Sequence, residues 1–135
     1  MANGMLYIAG GKSSAIEQNK NIPLGQVIRG FGQAINVNSD AIMLNASGYY
    51  LINAMIDFES TAVGNVTIQA YKDDIPIKDS FITVTMPAAN AYAATTIPFV
   101  VRVRGCCCNP VGITFVLTSA DQIEILNTSA VVEKM

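Results

Sequence analysis

Apolar and polar residues alternate along most of this chain with a period of two. The clearest run is Gly48 to Phe58. Every second position reads Tyr50, Ile52, Ala54, Ile56 and Phe58, and the intervening set reads Tyr49, Leu51, Asn53, Met55 and Asp57. Successive side chains on a strand point to opposite faces, so the run predicts a long strand with one dry face and one mixed face. Gly48, able to take a positive φ, turns the chain into it, and Glu59, Ser60 and Thr61 close it. On the mixed face Tyr49, Leu51 and Met55 are too apolar for open solvent, while Asn53 and Asp57 are too polar for a core. That mixture suits a protein–protein interface, such as one near a symmetry axis.

The same period recurs on either side. Met5 to Ala9 reads as a short first strand, broken by Gly10-Gly11-Lys12-Ser13-Ser14. The polar run through Asn21 to Pro23 reads as a loop or an extended arm lying over the body or a neighbour. Val27 to Val37, with Gly30 and Gly32, predicts two short strands with an irregular join, and Ile42-Met43-Leu44 another. Val66, Ile68 and Ala70 alternate with Thr67, Gln69 and Tyr71. Asp73-Asp74 then supplies a tight turn before Ile75-Pro76-Ile77, which makes a hairpin. Phe81 to Met86 is β-rich, and the small residues Ala88 to Ala94 read as a loop tip. Ile97, Phe99, Val101 and Val103 alternate next, with Pro98 inside the run predicting an edge or a bulge. Ile113, Phe115 and Leu117 form the following strand, and Ile123 to Glu133 the last.

About ten short strands, with turn signals every eight to twelve residues and no helical period, predict an all-β sandwich or barrel. The 135 residues suffice for one domain with its own core. Residues 1–38 are expected to supply an N-terminal strand and an extended arm packed on the body. Residues 39–135 supply the remainder of that single domain.

Composition changes the picture in one respect. Hydrophobic residues make up 51% of the chain and charged residues only 13%, about half the share usual for a soluble domain. Much of the surface is therefore expected to be covered, either by lipid or by other subunits. No charge lies between Asp79 and Arg102, a window long enough to span a bilayer. It contains Pro87, Asn90 and Pro98, however, and alternates as strands do, so burial against other subunits is the favoured reading and membrane insertion is not expected. A net charge of −2 gives no electrostatic reason to bind nucleic acid.

Ile42-x-Leu44, a short Asn45-Ala46-Ser47 turn and Gly48-x-Tyr50-x-Ile52 together resemble the C1q/TNF-like jelly-roll family. That family carries a Gly-x-Tyr segment entering a central strand. Gly64 to Asp73 and Ser129 to Glu133 look like its bacterial and bacteriophage members, and the likeness covers roughly residues 40–135. The resemblance implies a ten-stranded jelly roll assembled as a homotrimer, with aromatic and aliphatic side chains packed along the threefold axis. Tyr50 and Ile52 match the motif. Tyr49, Tyr50, Leu51, Ile52, Met55 and Phe115 are the expected core or trimer-contact residues, and the axis-facing choice among Tyr49, Leu51 and Met55 stays open. In bacteria and phages such domains cap fibres, coat spores or decorate capsids. With no collagen-like Gly-x-y stalk in this chain, the resemblance implies a structural component of a phage virion, whose N-terminal arm tethers the trimer to other virion proteins. The alternative it leaves is a trimeric head on a phage fibre or on a bacterial or spore surface, binding a host glycan or receptor through loops 60–64, 73–79, 88–94 and 105–111.

Candidate chemistry is sparse. The chain has no histidine, which removes histidine-based triads and the commonest general base and zinc ligand. The carboxylates Asp57, Glu59, Asp73, Asp74, Asp79, Asp121 and Glu124 fall near strand ends or turns and read as solvated. Asp73, Asp74 and Asp79 lack calcium-loop spacing. Cys106-Cys107-Cys108 has no Cys-x-x-Cys pair to close a zinc site. Small buried hydrophobes are the plain reading of it, and symmetry-related thiols at a trimer axis the alternative. The opening Met1-Ala2-Asn3-Gly4 lacks the features of a signal peptide, so reduced thiols are expected. Gly30-Phe31-Gly32 lacks the rest of a dinucleotide fingerprint. Asn45-Ala46-Ser47, Asn65-Val66-Thr67 and Asn127-Thr128-Ser129 match the glycosylation sequon but read as turn and strand polarity. Arg102 and Arg104 share a strand face, where pairing with an acid across subunits is favoured over an anion site. No enzyme, cofactor or metal is expected.

Overall fold

Ten strands form because the alternation is continuous enough to give each segment a dry face, and they pair into two antiparallel five-stranded sheets. The computed structural model describes residues 4–104, 110–119 and 122–135. The strands are β1 Gly4–Glu17, β2 Gly25–Phe31, β3 Ile35–Asn38, β4 Ala41–Leu44, β5 Gly48–Ser60, β6 Gly64–Lys72, β7 Ile75–Met86, β8 Tyr92–Val103, β9 Val111–Ser119 and β10 Gln122–Lys134. One sheet runs β2-β1-β10-β5-β8 and the other β3-β4-β9-β6-β7. The Cys106-Cys107-Cys108 run and Asp121 lie outside the described residues.

The core fills the space between the sheets. Tyr50, Ile52, Ala54, Ile56 and Phe58 on β5 have no accessible surface. Ile42, Leu44, Ile68, Ala70, Ile113, Phe115 and Leu117 of the second sheet are equally buried. Phe99 of β8 and Phe115 of β9 meet edge to face with ring centroids 6.0 Å apart, an aromatic contact that joins the two sheets. Pro98 sits on β8, the edge strand of its sheet, where its missing N–H disrupts no central ladder.

The Asp73-Asp74 turn closes the β6–β7 hairpin with both residues at positive φ, 50° and 68°, the geometry a two-residue hairpin loop requires. The Asp73 carboxylate also accepts a hydrogen bond from the Gly112 amide at 2.8 Å, tying the turn to β9.

Three local expectations are corrected. Gly10-Gly11 does not end the first strand. β1 continues to Glu17 with register shifts against β10, because the glycines form a bulge instead of a turn. Gly10 takes φ 89°, and a Cβ on Gly11 would lie 2.4 Å from the Pro23 carbonyl oxygen, so glycine there lets the returning chain cross close to the strand. The segment that follows, read as a loop or an arm lying over the body or a neighbour, lies against its own chain. Ile16, Ile22 and Leu24 are buried, and the Asn19 and Ile22 amides donate to the Leu117 and Phe115 carbonyls, each at 2.7 Å. Burial of these three apolar side chains is what holds the segment down. Ile75–Met86 is one strand rather than two pieces; its extra residues are absorbed in a bulge, with Asp79 at φ 70°. Finally, β8 begins at Tyr92, within the expected loop tip.

Tyr50 is a polar atom carried into this core. Its hydroxyl donates to the Ala46 carbonyl at 2.6 Å, pinning the turn between β4 and β5 to the strand that follows. Desolvation by burial raises the phenol above its usual 10.0, opposed by the smaller effect of the Ala46 amide, which donates to the phenol oxygen at 3.3 Å. A phenol that holds its proton more tightly when folded contributes stability fully present below about pH 10 and lost as pH rises through the folded value. Tyr50→Phe is therefore expected to cost about 1 kcal/mol at neutral pH in urea unfolding, and to flatten the loss of stability above pH 10. An unchanged alkaline slope would contradict this.

Candidate assembly interface

Register decides which side chains share the outer surface of the β5 sheet. Residues paired directly across antiparallel strands point to the same face. One row therefore crosses the whole sheet as Val100, Leu51, Glu133, Met5 and Phe31. The next reads Pro98, Asn53, Val131, Tyr7 and Arg29. Thr96, Met55 and Ser129 follow in a third row, and Arg102 with Tyr49 lies at the opposite end.

This places each residue expected from the sequence. Tyr50, Ile52 and Phe115 have no accessible surface and belong to the chain's own core. Tyr49 is 50% exposed, Leu51 41% and Met55 42%, all on the outer face of β5. Sequence reasoning missed Val100, Val131 and Phe31, which are exposed on the same face, and the half-buried Met5 and Tyr7. Alternation placed Val100 and Val131 on one side of their strands. Only the register aligns that side with Leu51.

The face is electrically uneven. At one end Glu59 and Glu124 stand directly opposite each other, with Asp57 one position along the same face of β5. At the other, the Arg102 guanidinium lies over the Tyr49 ring, 5.7 Å from its centroid, a cation–π arrangement. Arg102 and Arg104 are both exposed there, beside a shallow depression of about 480 Å³ lined by Ser47, Gly48, Tyr49, Arg102, Val103 and Arg104. The Lys72 ammonium donates to the Arg102 carbonyl at 3.0 Å, which fixes the end of β8 to the second sheet.

Two of the three Asn-x-Ser/Thr motifs have structural occupations, and the third carries a buried hydroxyl with no hydrogen-bond partner among the described residues. Asn45 donates to the Asn36 side chain at 2.6 Å, and Asn65 accepts from Thr85 at 2.8 Å. Thr128 is buried in β10. Among the described residues no three Cys, Asp or Glu side chains come together to hold a metal ion.

No protein-family model and no curated protein matches the chain. Its fold has clear counterparts among solved structures. Murine APRIL superposes with a TM-score of 0.76 at 13% identity, covering 98% of both chains. The Eiger TNF of S. frugiperda gives 0.72 at 6% identity, over 99% of this chain and 92% of its own. The PRD1 vertex protein P5 gives 0.62 at 16% identity over 100% and 99%. With the globular domain of zebrafish complement 1qA also similar, the fold is a C1q/TNF-like jelly roll.

The Glu59–Glu124 pair yields a test of the register. Like charges directly opposite on a sheet repel, so Glu124→Lys should raise stability by about 0.5 kcal/mol. The midpoint of urea unfolding would move up at unchanged slope. A midpoint that stays or falls would show that the two carboxylates do not face each other.

Proposed function

We propose that this chain is a non-enzymatic structural protein that works as a homotrimer, burying the outer face of its β5 sheet against two further copies. The observation that carries the reading is the row Val100, Leu51, Met5 and Phe31, interrupted only by Glu133, with Tyr49, Val131 and Met55 beside it. A contiguous apolar patch rimmed by charge marks an association surface rather than a solvated one. The low charge content of the chain fits the same account.

Within that reading the particle we favour is a virion, in which the trimer is one building block among other structural proteins. Similarity to a vertex protein supports this choice, as does the likeness of Gly64 to Asp73 and Ser129 to Glu133 to phage jelly rolls. The second reading, a trimeric head that binds a host glycan or receptor, draws on the exposed loop residues. Ile75 at the β6–β7 hairpin is 67% exposed and Tyr92 at the start of β8 is 61% exposed.

Substitution on the proposed face tests the assembly. Leu51→Asp or Met55→Asp places a carboxylate where desolvation would leave it unpaired. Each should weaken self-association at least tenfold in sedimentation equilibrium. Val63→Asp, on the exposed loop after β5, should leave it unchanged. Equal behaviour of all three variants would remove this face from the interface. Saturable binding of the intact protein on a glycan array would move the assignment to the second reading.

A further inference from the structure

Cations gather at the end of the sandwich where β8 and β10 finish and β5 begins. Arg102 and Arg104 alternate with the buried Val103 and so share the outer face. With Ser47, Gly48, Val103 and Tyr49, which pairs directly with Arg102, they line the depression of about 480 Å³. Two further cations stand behind it. A Cβ on Gly48 would lie 3.1 Å from the Lys134 ammonium, so glycine there lets that charge rest against the backbone lining the depression. Lys72 holds the Arg102 carbonyl at 3.0 Å. Four of the chain's eight Lys and Arg residues thus meet at one corner of a molecule whose net charge is −2. The positive field there is a local arrangement, which a concave surface concentrates.

We propose that this corner binds a compact oxyanion of the phosphate class. The acids at this end of the molecule are engaged or set apart. Asp73 accepts from the Gly112 amide, Asp74 belongs to the hairpin turn of the other sheet, and Glu133 lies in the row of Leu51, two strands from β8. Each guanidinium presents planar, paired N–H donors that match two oxygens of a phosphate. Two guanidiniums balance a dianion, where a single carboxylate would offset only one of them. The Tyr49 ring under Arg102 already restrains that guanidinium, so less side-chain freedom is lost when an anion arrives. The Ser47 hydroxyl adds a neutral donor at the start of β5. Lys134 acts at longer range, through the field that it adds behind Gly48. Every group comes from one chain, so the site needs no particular arrangement of copies.

Titration of the intact chain with inorganic phosphate at constant ionic strength, followed by amide NMR shifts, tests the site. The amides of Ser47, Gly48 and Arg102 to Arg104 should shift saturably. Chloride at equal ionic strength should not reproduce this, because screening alone has no preferred site. Arg102→Gln and Arg104→Gln should each weaken binding about tenfold, the loss of a charge-assisted contact. Lys134→Gln should weaken it about threefold, and Lys12→Gln, on β1, should leave it unchanged. Both arginines are exposed, and urea unfolding checks that their variants keep the fold. A hexose phosphate that binds more tightly at the same amides supports the site and assigns it to phosphate on a larger molecule. Equal or weaker binding supports it as a site for the free ion. Shifts that grow without saturating mark an adventitious ion only and overturn the proposal. So do arginine variants that bind like the parent, which would return Arg102 and Arg104 to pairing with an acid of another copy.

Discussion

Burial of the inner face of β5 is the constraint on which the rest depends. Tyr50, Ile52, Ala54, Ile56 and Phe58 lose all contact with water, and each large member contributes roughly 1.5–3 kcal/mol by leaving it. That sum is comparable with the whole stability of a domain, about 5–15 kcal/mol, so the strand has no freedom to slip. A slip of one residue would expose this set and bury Asn53 and Asp57 instead. The outer face is therefore a consequence of the inner one: with Tyr50 and Ile52 held inside, Tyr49, Leu51 and Met55 must point away from the core. β10 and β8 flank β5 on either side, and their own buried residues fix which of their side chains join that surface.

This coupling explains why the chain presents an apolar surface without being poorly folded. The same alternation that closes the core leaves a second stripe available for association, and the second sheet offers a contrast. Its outer side carries Thr67 and Thr83, hydrogen-bonded to each other at 2.9 Å, and Asn65 bonded to Thr85. A surface whose polar groups satisfy one another and solvent has little to gain from burial. The two faces of the sandwich thus differ in degree, since the second also carries the exposed Phe81 opposite Gln69, and the difference lies in the residues between the core positions.

The all-β class, the β5 strand and the Asp73-Asp74 hairpin were legible in the sequence because each rests on local signals: period two, or a turn that two residues define. The division of Tyr49, Leu51 and Met55 from Tyr50 and Ile52 was legible for the same reason. Gly10-Gly11 misled because glycine marks a bulge and a turn alike, and what distinguishes them here is the Pro23 carbonyl arriving from a later segment. The burial of Ile16, Ile22 and Leu24 was hidden among polar neighbours, since the strands that receive them, β10 for Ile16 and β9 for Ile22, are distant in sequence. Phe115 stood among the expected contacts, yet its side of β9 became clear only through the pairing with β6 and β4. The row joining Phe31, Met5, Glu133, Leu51 and Val100 depends on four registers at once. No local pattern reports those.

The central claim is that the outer face of the β5 sheet meets two more copies of the chain, and solution mass by light scattering tests it most directly. Measured at low and at high ionic strength, the mass should be three times that of the chain in both, because apolar burial drives the association and salt screens only charge. A single-chain mass at both would contradict the account, and the exposed Leu51, Met55 and Val100 would then have to be covered by something other than this protein.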